Sequence, residues 1–351
     1  MKKLLLSVTV FLLCLGTSNL TAQNSRRESY WTIGLQANAL NYFGDIAPLE
    51  SVFSTDISFT RPNFGIEVTK KMSSRLYLRG SFGYGRLKGD DFESADLSPE
   101  RIARYGRNLH FRNDIYELAF TALFELFPSR GRFYRRRYIS PYIFAGVAGF
   151  YHNPKAKVPL DYTGADASPG EWVALRPLHT EGQGQTRQFG TDAGTPYNKP
   201  YSLIQPAIPA GLGVRWRLGD RLDMSFEIGF RFLFFDHLDD VGGLYPDIRD
   251  LESDLAKALY DRSAEPRAAV SGELRDLSAV IEVVGPETDL YGVLNQDAFE
   301  NIPGFTRLVS YGLRGEKRGN TPKENDLYIV TGFHLNYILT TKRFPRYKRS
   351  F

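Results

Sequence analysis

The sequence predicts an all-β protein, an eight-stranded antiparallel transmembrane up-and-down β-barrel with long extracellular loops. Three observations predict this fold: a long alternating segment at 221–235, seven further segments of the same kind, and connectors that are long and short in turn. Side chains alternate across a strand with a period of two. In 221–235 every second residue is large and apolar, and the opposite face is charged or small. That pattern is typical of a strand with lipid on one side and a polar lumen on the other.

The same alternation divides the chain into eight predicted strands. The apolar residues recur at alternate positions within each segment, as with Trp31, Ile33 and Leu35 in the first strand. In the fifth strand we assign Tyr142, Phe144, Ala148 and Phe150 to the apolar set. The predicted strands are 31–41, 63–71, 76–87, 110–127, 139–151, 203–218, 221–235 and 327–340.

The connectors give an independent indication of topology. Bacterial outer-membrane barrels have short periplasmic turns and long extracellular loops. The connectors 72–75, 128–138 and 219–220 are short, so we place them in the periplasm. Proline cannot donate to a strand ladder, so Pro206 and Pro209 predict that regular pairing of the sixth strand starts near Ile208, after a bulge.

The composition and the N-terminal segment indicate an exported membrane protein. A basic start, an apolar run at 4–15 and the Ala22–Gln23 junction predict a signal peptide over 1–22. Residues 23–351 then form the barrel, and we expect it in the outer membrane, in contact with lipid. No later run offers the ~20 apolar residues of a membrane-spanning helix, which leaves a closed barrel as the way to cross lipid.

The same data exclude several functional classes. The one cysteine, Cys14, falls within the predicted signal peptide, so the mature chain has no disulfide framework or thiolate metal site. The net charge of +4 is too small on this chain to argue for nucleic acid. We predict no cofactor.

Charged residues on the predicted lumen face are close to balance. An eight-stranded barrel is just wide enough for side chains to fill it, so these residues predict an ion-paired plug, with a conducting pore as the alternative. The predicted plug consists of Glu67, Arg79, Glu117, Glu125, Arg215, Arg217, Asp223, Glu227 and Arg231.

A lumenal enzyme is a second alternative. His334, Ser225 and Glu227 point into the lumen from adjacent predicted strands, and a hydrolase needs a nucleophile, a base and an orienting group within hydrogen-bond reach. Short polar residues face inward on every strand, however, so we predict a protein that is not an enzyme and has no catalytic residues.

The two long loops, 152–202 and 236–326, are predicted extracellular insertions. The second contains a helical pattern at 251–260, and we expect a short helix that packs over the barrel mouth. It begins with an acidic segment that includes Asp236, Asp239 and Asp240. These residues are open to three interpretations: a cap on the strand end, a partner contact, or a metal site whose spacing does not match the EF-hand loop. We predict no metal and assign them to partner binding.

Two basic clusters fall on the predicted periplasmic side. The 128–138 turn contains Arg135, Arg136 and Arg137, and the C-terminal tail is also basic. Electrostatic anchoring to lipid headgroups is one interpretation. The other, which we assign, is a docking patch for an acidic periplasmic partner.

Several motifs together resemble a known family. The run Ile208–Leu218 continues through the Gly-Asp turn into 226–231 and then into Asp-His-Leu-Asp-Asp-Val at 236–241, with related stretches at 41–46 and 141–148. This series resembles the PorG-like outer-membrane barrels of the type IX secretion system. The two long loops and His237, where that family has tyrosine, depart from its pattern. The resemblance implies a non-enzymatic accessory component of protein secretion or gliding machinery, with envelope proteins as partners. A stand-alone surface barrel for adhesion or ligand binding through the loops is the alternative.

Overall fold

Eight strands of the chain close into an antiparallel barrel in the computed structural model. It describes residues 29–46, 59–98, 101–129, 133–263, 265–278, 312, 314–319 and 325–339. The predicted signal peptide and the basic C-terminal tail lie outside the described residues. The barrel strands are β1 Trp31–Phe43, β2 Arg61–Lys71, β3 Leu76–Asp90, β4 His110–Glu125, β5 Ile139–Tyr151, β8 Ile204–Arg217, β9 Leu222–Leu233 and β10 Leu327–Leu339.

Strand pairing follows chain order and closes the sheet. β1 pairs with β2 on one side and with β10 on the other, and β3 pairs with β4. The chain between β5 and β8 leaves the barrel and returns, so β5 and β8 are barrel neighbours. The barrel therefore has no free edge among its eight strands, and the predicted antiparallel up-and-down fold is confirmed.

The outer wall carries a broad apolar belt. Every second side chain of the strands is exposed and apolar through the middle of the barrel, as with Leu35, Ile66, Phe120 and Leu212. Trp31 to Asn41 covers about ten residues, which at ~3.3 Å each and the usual strand tilt spans roughly the 25 Å of a membrane barrel's apolar band. Such a continuous exposed belt fits hydrocarbon rather than water.

No helix in the described part of the chain is both long and apolar enough to span a membrane.

Two local predictions were wrong. In β5 the aromatic residues Tyr142, Phe144 and Phe150 face the lumen, because both faces of this strand carry apolar residues and the interior needs bulk to fill it. In β8 pairing begins at Ile204, and the register to β5 is the same on both sides of Pro209, so the predicted bulge is not present.

The described parts of the long connectors fold over one end of the barrel into a structure that we call the cap. Its regular elements are the strands β6 Pro154–Lys157 and β7 Trp172–Ala174 and the helices α1 Asp91–Ser94, α2 Ile102–Arg107 and α3 Asp254–Tyr260, with 3-10 turns at Arg176–Leu178 and Ile248–Asp250. β6 pairs with the N-terminal end of β4, near Arg112, and with β7. Leu255 and Leu259 of α3 pack against Ala156 and Val158 beside β6, so a helix does pack over the mouth as predicted.

The cap and the barrel share one apolar core. Tyr42, Phe111 and Phe150 from the strands pack with Leu238 and Val241 from the cap. A second apolar layer, which includes Tyr77, Tyr142 and Phe144, lies at the opposite end of the lumen. The charged layer between them is the first candidate site.

Candidate functional site

Arg79 is the centre of the lumen. Its guanidinium forms two hydrogen bonds with Glu227, at 2.5 Å and 3.0 Å, and lies 3.3 Å from Glu67. The hydroxyl of Tyr142 donates to Glu227 at 2.5 Å, and His334 Nδ1 lies 3.0 Å from Glu67 Oε2. These side chains come from five different strands, so the network ties the walls of the barrel together. We call it the lumen network.

Further ion pairs fill the lumen above and below this centre. Arg231 binds Glu117 through two nitrogens, at 2.9 Å and 3.0 Å. Arg215 donates to Glu125 at 2.8 Å. Buried ion pairs are stable when their remaining hydrogen bonds are also satisfied, and here hydroxyls such as that of Tyr328, which donates to Glu117 at 2.6 Å, contribute.

Arg217 departs from the predicted plug. Its guanidinium leaves the lumen and donates to Asp220 at 2.7 Å in the β8–β9 turn. Arg217 is the last residue of β8, where the lumen has already ended. Asp223, which we expected to pair within the lumen set, is instead bound by Arg136.

Little free volume remains beside the lumen network. The cavity beside the lumen network, lined by Glu67, Arg79, Asp223 and Glu227 among others, has a volume of about 10 Å³. That is room for about one water molecule. The residues of the lumen network therefore form a packed layer rather than the lining of an aqueous path.

The geometry does not assemble the hydrolase arrangement considered above. Among the described residues no hydrogen bond joins Ser225 to His334, and the imidazole lies between Glu67 and Glu227, 3.0 and 3.6 Å from their oxygens. His334 thus acts as part of the ion-pair layer. The side chains of Ser225, Glu227 and His334 are all buried.

The floor of the cap holds an unusual carboxyl pair. The hydroxyl of Tyr42 lies 2.7 Å from Asp239 Oδ2 and 2.9 Å from Asp326 Oδ1. A tyrosine hydroxyl has one hydrogen to donate, so its contact with the second oxygen is a hydrogen bond when that carboxyl carries a proton. Burial and the nearby Asp45 charge raise the pKa of Asp239, and burial and Asp239 raise the pKa of Asp326. Both carboxyls beside the Tyr42 hydroxyl therefore favour their protonated forms more than an ordinary aspartate does.

These contacts correct the predicted role of the acidic segment. Asp239 and Asp240 are both buried. Asp240 accepts hydrogen bonds from the hydroxyls of Thr180 and Tyr201, both at 2.6 Å. Both carboxyls hold loops together and are inaccessible to a partner. Asp236 is half-buried, and its assignment to partner binding stays a prediction.

Glu181 joins the two long loops above this floor. It accepts from Gly242 N at 3.1 Å and from Arg318 at 3.2 Å, and it lies 3.4 Å from His237 Nε2. Burial lowers the pKa of His237, but the hydrogen bond and charge of Glu181 outweigh it and raise that pKa overall. Burial likewise raises the pKa of Glu181, and His237 and Arg318 reverse this to a net lowering. Sequence reasoning missed Glu181 and Arg318, which lie 137 positions apart in segments without periodicity.

The predicted periplasmic docking patch is divided by the structure. Arg135 and Arg137 are exposed. Arg136 is 7% exposed and turns inward, where it binds Asp223 and the backbone carbonyls of Gly219 and Asp220. Arg136 therefore closes the short-turn end of the lumen, and its buried guanidinium is not available for the predicted contact with a partner.

An open cavity lies on the cap, between the two long loops. It has a volume of about 290 Å³, and its walls include Arg187, Asp192, Tyr197, Asn198 and Arg314. Arg187 stacks on the Tyr197 ring at 4.1 Å. Among the described residues, no three His, Cys, Asp or Glu side chains are arranged to hold a metal ion.

Fold and site together define a class: a closed eight-stranded barrel with a lipid-facing outer wall, an ion-paired lumen and a folded cap. A protein-family model described as "Domain of unknown function (DUF6089)" matches residues 4–167. No curated protein matches the chain.

Three solved structures are similar to the chain at low identity. Neisserial surface protein A is 7% identical, with 88% of this chain and 96% of that chain covered and a TM-score of 0.31. Ail, the attachment invasion locus protein of Yersinia pestis, is 10% identical over 59% of this chain and 89% of its own, with a TM-score of 0.29. The N-terminal β-barrel domain of Pseudomonas aeruginosa OprF is 9% identical over 59% and 89%, with a TM-score of 0.27. The fold assigned here rests on the strand pairing of this chain.

Proposed function

We propose that this protein is a non-conducting, non-enzymatic outer-membrane barrel that serves as an accessory component of protein secretion, of the type IX kind, or of gliding machinery. The observation that carries the proposal is that side chains fill the lumen, with about 10 Å³ free beside the lumen network. A barrel filled in this way has its outer surfaces for function, and the cap is one of these. The secretion role is supported by the sequence resemblance to PorG-like barrels.

The cap is suited to contact other proteins because its core makes it a fixed shape. Its apolar clusters and the Glu181–Arg318 and Asp240–Tyr201 contacts hold segments distant in sequence together. Leu160 and Leu274 are exposed on it. A preorganised surface loses less conformational entropy on binding than a flexible loop.

Two measurements test the proposal. Purified protein in planar bilayers is expected to show no channel conductance. In cells, a photo-crosslinking amino acid at position 160 or 274 is expected to capture envelope proteins of the secretion apparatus, and deletion of the gene is expected to reduce surface delivery of secreted proteins. Normal secretion in the deletion strain would rule out the secretion role, and a steady open channel would rule out the closed barrel.

The cap cavity favours a second candidate, a stand-alone surface barrel that binds a ligand or an adhesion target. Its walls combine charged groups with Tyr197 in a volume of about 290 Å³, a size typical of small ligand sites. Asn198→Trp would fill the cavity. If this candidate is right, the variant loses surface binding while secretion continues unchanged.

A further inference from the structure

The short-turn end of the barrel carries a ring of cationic side chains that rest on exposed aromatic rings. Lys70 Nζ lies 5.0 Å from the centre of the Trp31 ring, and the guanidinium of Arg75 lies 5.8 Å from the centre of the Phe124 ring. The guanidinium of Arg137 lies 5.3 Å from the Phe127 ring. In a fourth pair, Arg221 donates a hydrogen bond to the Tyr337 hydroxyl at 3.2 Å. We call Lys70, Arg75, Arg137 and Arg221 the basic rim.

The four pairs are distributed around the circumference. The first joins β1 to β2, and the second joins the β2–β3 turn to β4. The third lies in the β4–β5 connector, and the fourth joins the β8–β9 turn to β10. The basic rim is therefore a feature of one level of the barrel rather than of one side.

The rim continues directly from the lipid-facing belt. Trp31 and Phe124 are the last exposed apolar positions of their strands toward this end, and Tyr337 is followed in its strand only by exposed Leu339. Tryptophan and tyrosine favour the level of lipid headgroups. Lysine and arginine at this level lay their aliphatic stems along apolar surface and keep the charge at the headgroups.

Charge at this level is strongly one-sided. Arg135 is also exposed there, beside the four rim residues. Of the acidic residues described at the short-turn rim, Asp220 is the exposed one, and it binds Arg217. Asp223 and Glu125 are buried in the lumen. The surface at the headgroup level is therefore cationic and complementary to an anion.

We propose that the basic rim binds the headgroups of anionic glycerophospholipids, such as phosphatidylglycerol, in the membrane leaflet at the short-turn end. A phospholipid fits better than an acidic protein because each cation lies beside an aromatic ring at the edge of the apolar belt, where a headgroup phosphate and its acyl chains would both find partners. The proposal rests on the membrane orientation proposed above and is independent of the secretion role.

The test uses the full mature chain in neutral detergent micelles. Native mass spectrometry would count phosphatidylglycerol and phosphatidylcholine molecules bound in competition. A basic residue near an anionic surface strengthens association by roughly fivefold. In the variant K70Q/R75Q/R137Q/R221Q the ratio of bound phosphatidylglycerol to bound phosphatidylcholine is therefore expected to fall at least tenfold. The matched control K155Q/R187Q/K199Q/R267Q removes the same charge from the cap and is expected to keep the preference.

Folding and partner controls make the outcome decisive. The charge-conserving variant K70R/R75K/R137K/R221K is expected to keep the lipid preference, and heat-modifiable migration on gels would show which variants fold as barrels. Equal binding of the two lipids by the unaltered protein would overturn the proposal. So would a folded rim variant that keeps its lipid preference but loses an acidic periplasmic protein, because the rim would then be a protein-docking surface.

Discussion

Arg136 binds Asp223 inside the barrel, with its Nε 2.8 Å from the Oδ1 of that carboxylate. The same guanidinium donates to the carbonyls of Phe133, Gly219 and Asp220, at 2.7, 2.7 and 2.6 Å. One side chain from the β4–β5 connector thus fastens the β8–β9 turn beneath the lumen. A residue that the sequence places in an exposed basic cluster is a structural element of the barrel floor.

Replacing Arg136 is therefore expected to destabilise the barrel. Arg136→Met leaves Asp223 and several carbonyls without their donor, and breaking a buried pair in this way costs about 3–5 kcal/mol. Urea unfolding in lipid vesicles would measure the loss. Arg137→Met is the matched control, because Arg137 is exposed, and its effect is expected to stay below about 1 kcal/mol. Equal stability of the two variants would show that Arg136 is not the floor of the lumen.

The pair formed by Glu117 and Arg231 is expected to show strong energetic coupling. Two hydrogen bonds join the side chains, and both are largely shielded from solvent. In a double-mutant cycle with Glu117→Gln and Arg231→Met, each single change leaves a polar partner buried, so the double variant is expected to lose at least about 2 kcal/mol less than the sum.

The exposed pair Arg217–Asp220 serves as the control cycle. Its side chains are partly open to solvent, and a pair of this kind contributes about 0.2–1 kcal/mol. Both cycles can be measured from urea midpoints in the same vesicles. Additive effects at Glu117 and Arg231 would mean that water reaches the lumen.

The barrel could be predicted from sequence because apolar and polar side chains alternate regularly along its strands. Lipid outside and polar groups inside impose an alternation that places β9 and β10 within about two residues of their observed bounds. β5 shows the limit, because Ile143 and Val147 on one face and Phe144 and Phe150 on the other are all apolar. Pattern alone cannot distinguish a lipid-facing aromatic residue from one that fills the lumen.

The cap could not be predicted in this way. Glu181, Arg318 and Asp240 lie in irregular segments, and their contacts depend on how the two long loops meet in space. The lumen charges were found because strand parity assigns them inward, but the partner of Asp223 was not, because Arg136 reaches it from a turn. The alternation along a strand predicts whether a side chain points into the lumen, but the residue that it contacts there is known only from the folded structure.

The cap is expected to lose stability as pH rises from 7 to 9, a range in which His152, whose pKa burial lowers to about 4, is uncharged whether the chain is folded or not. The pKa of His237 is raised in the folded chain by Glu181, so its contribution is full below the ordinary histidine value of about 6.5 and is lost as pH rises through the raised value. Burial raises the pKa values of Asp239 and Asp326, and the charge of Asp45 adds to this at Asp239, as that of Asp239 does at Asp326. Folding therefore favours their protonated forms, and this contribution also falls as pH rises above about 4.

Hydrogen exchange of peptides that cover 236–241, corrected for intrinsic rates, would follow this change. H237Q/D239N is expected to flatten the pH dependence, because it removes the imidazole and one of the two coupled carboxyls. The lowered pKa of Glu181 acts below about pH 4 and does not affect this window. Protection that increases toward pH 9 would contradict the favoured protonation of the carboxyls beside Tyr42.

The apolar belt is expected to distinguish two leucines that are similarly exposed in the isolated chain. Leu212 on β8 is 57% exposed and Leu274 on the cap is 73% exposed. If the belt lies in lipid, Leu212→Arg places a charge in hydrocarbon and costs about 2–4 kcal/mol, whereas Leu274→Arg stays in water and costs less than about 0.5 kcal/mol. Both variants would be folded into vesicles and compared by heat-modifiable gel migration and urea midpoint. If Leu212→Arg is as stable as Leu274→Arg, the outer wall of β8 faces water and the assigned membrane belt is wrong.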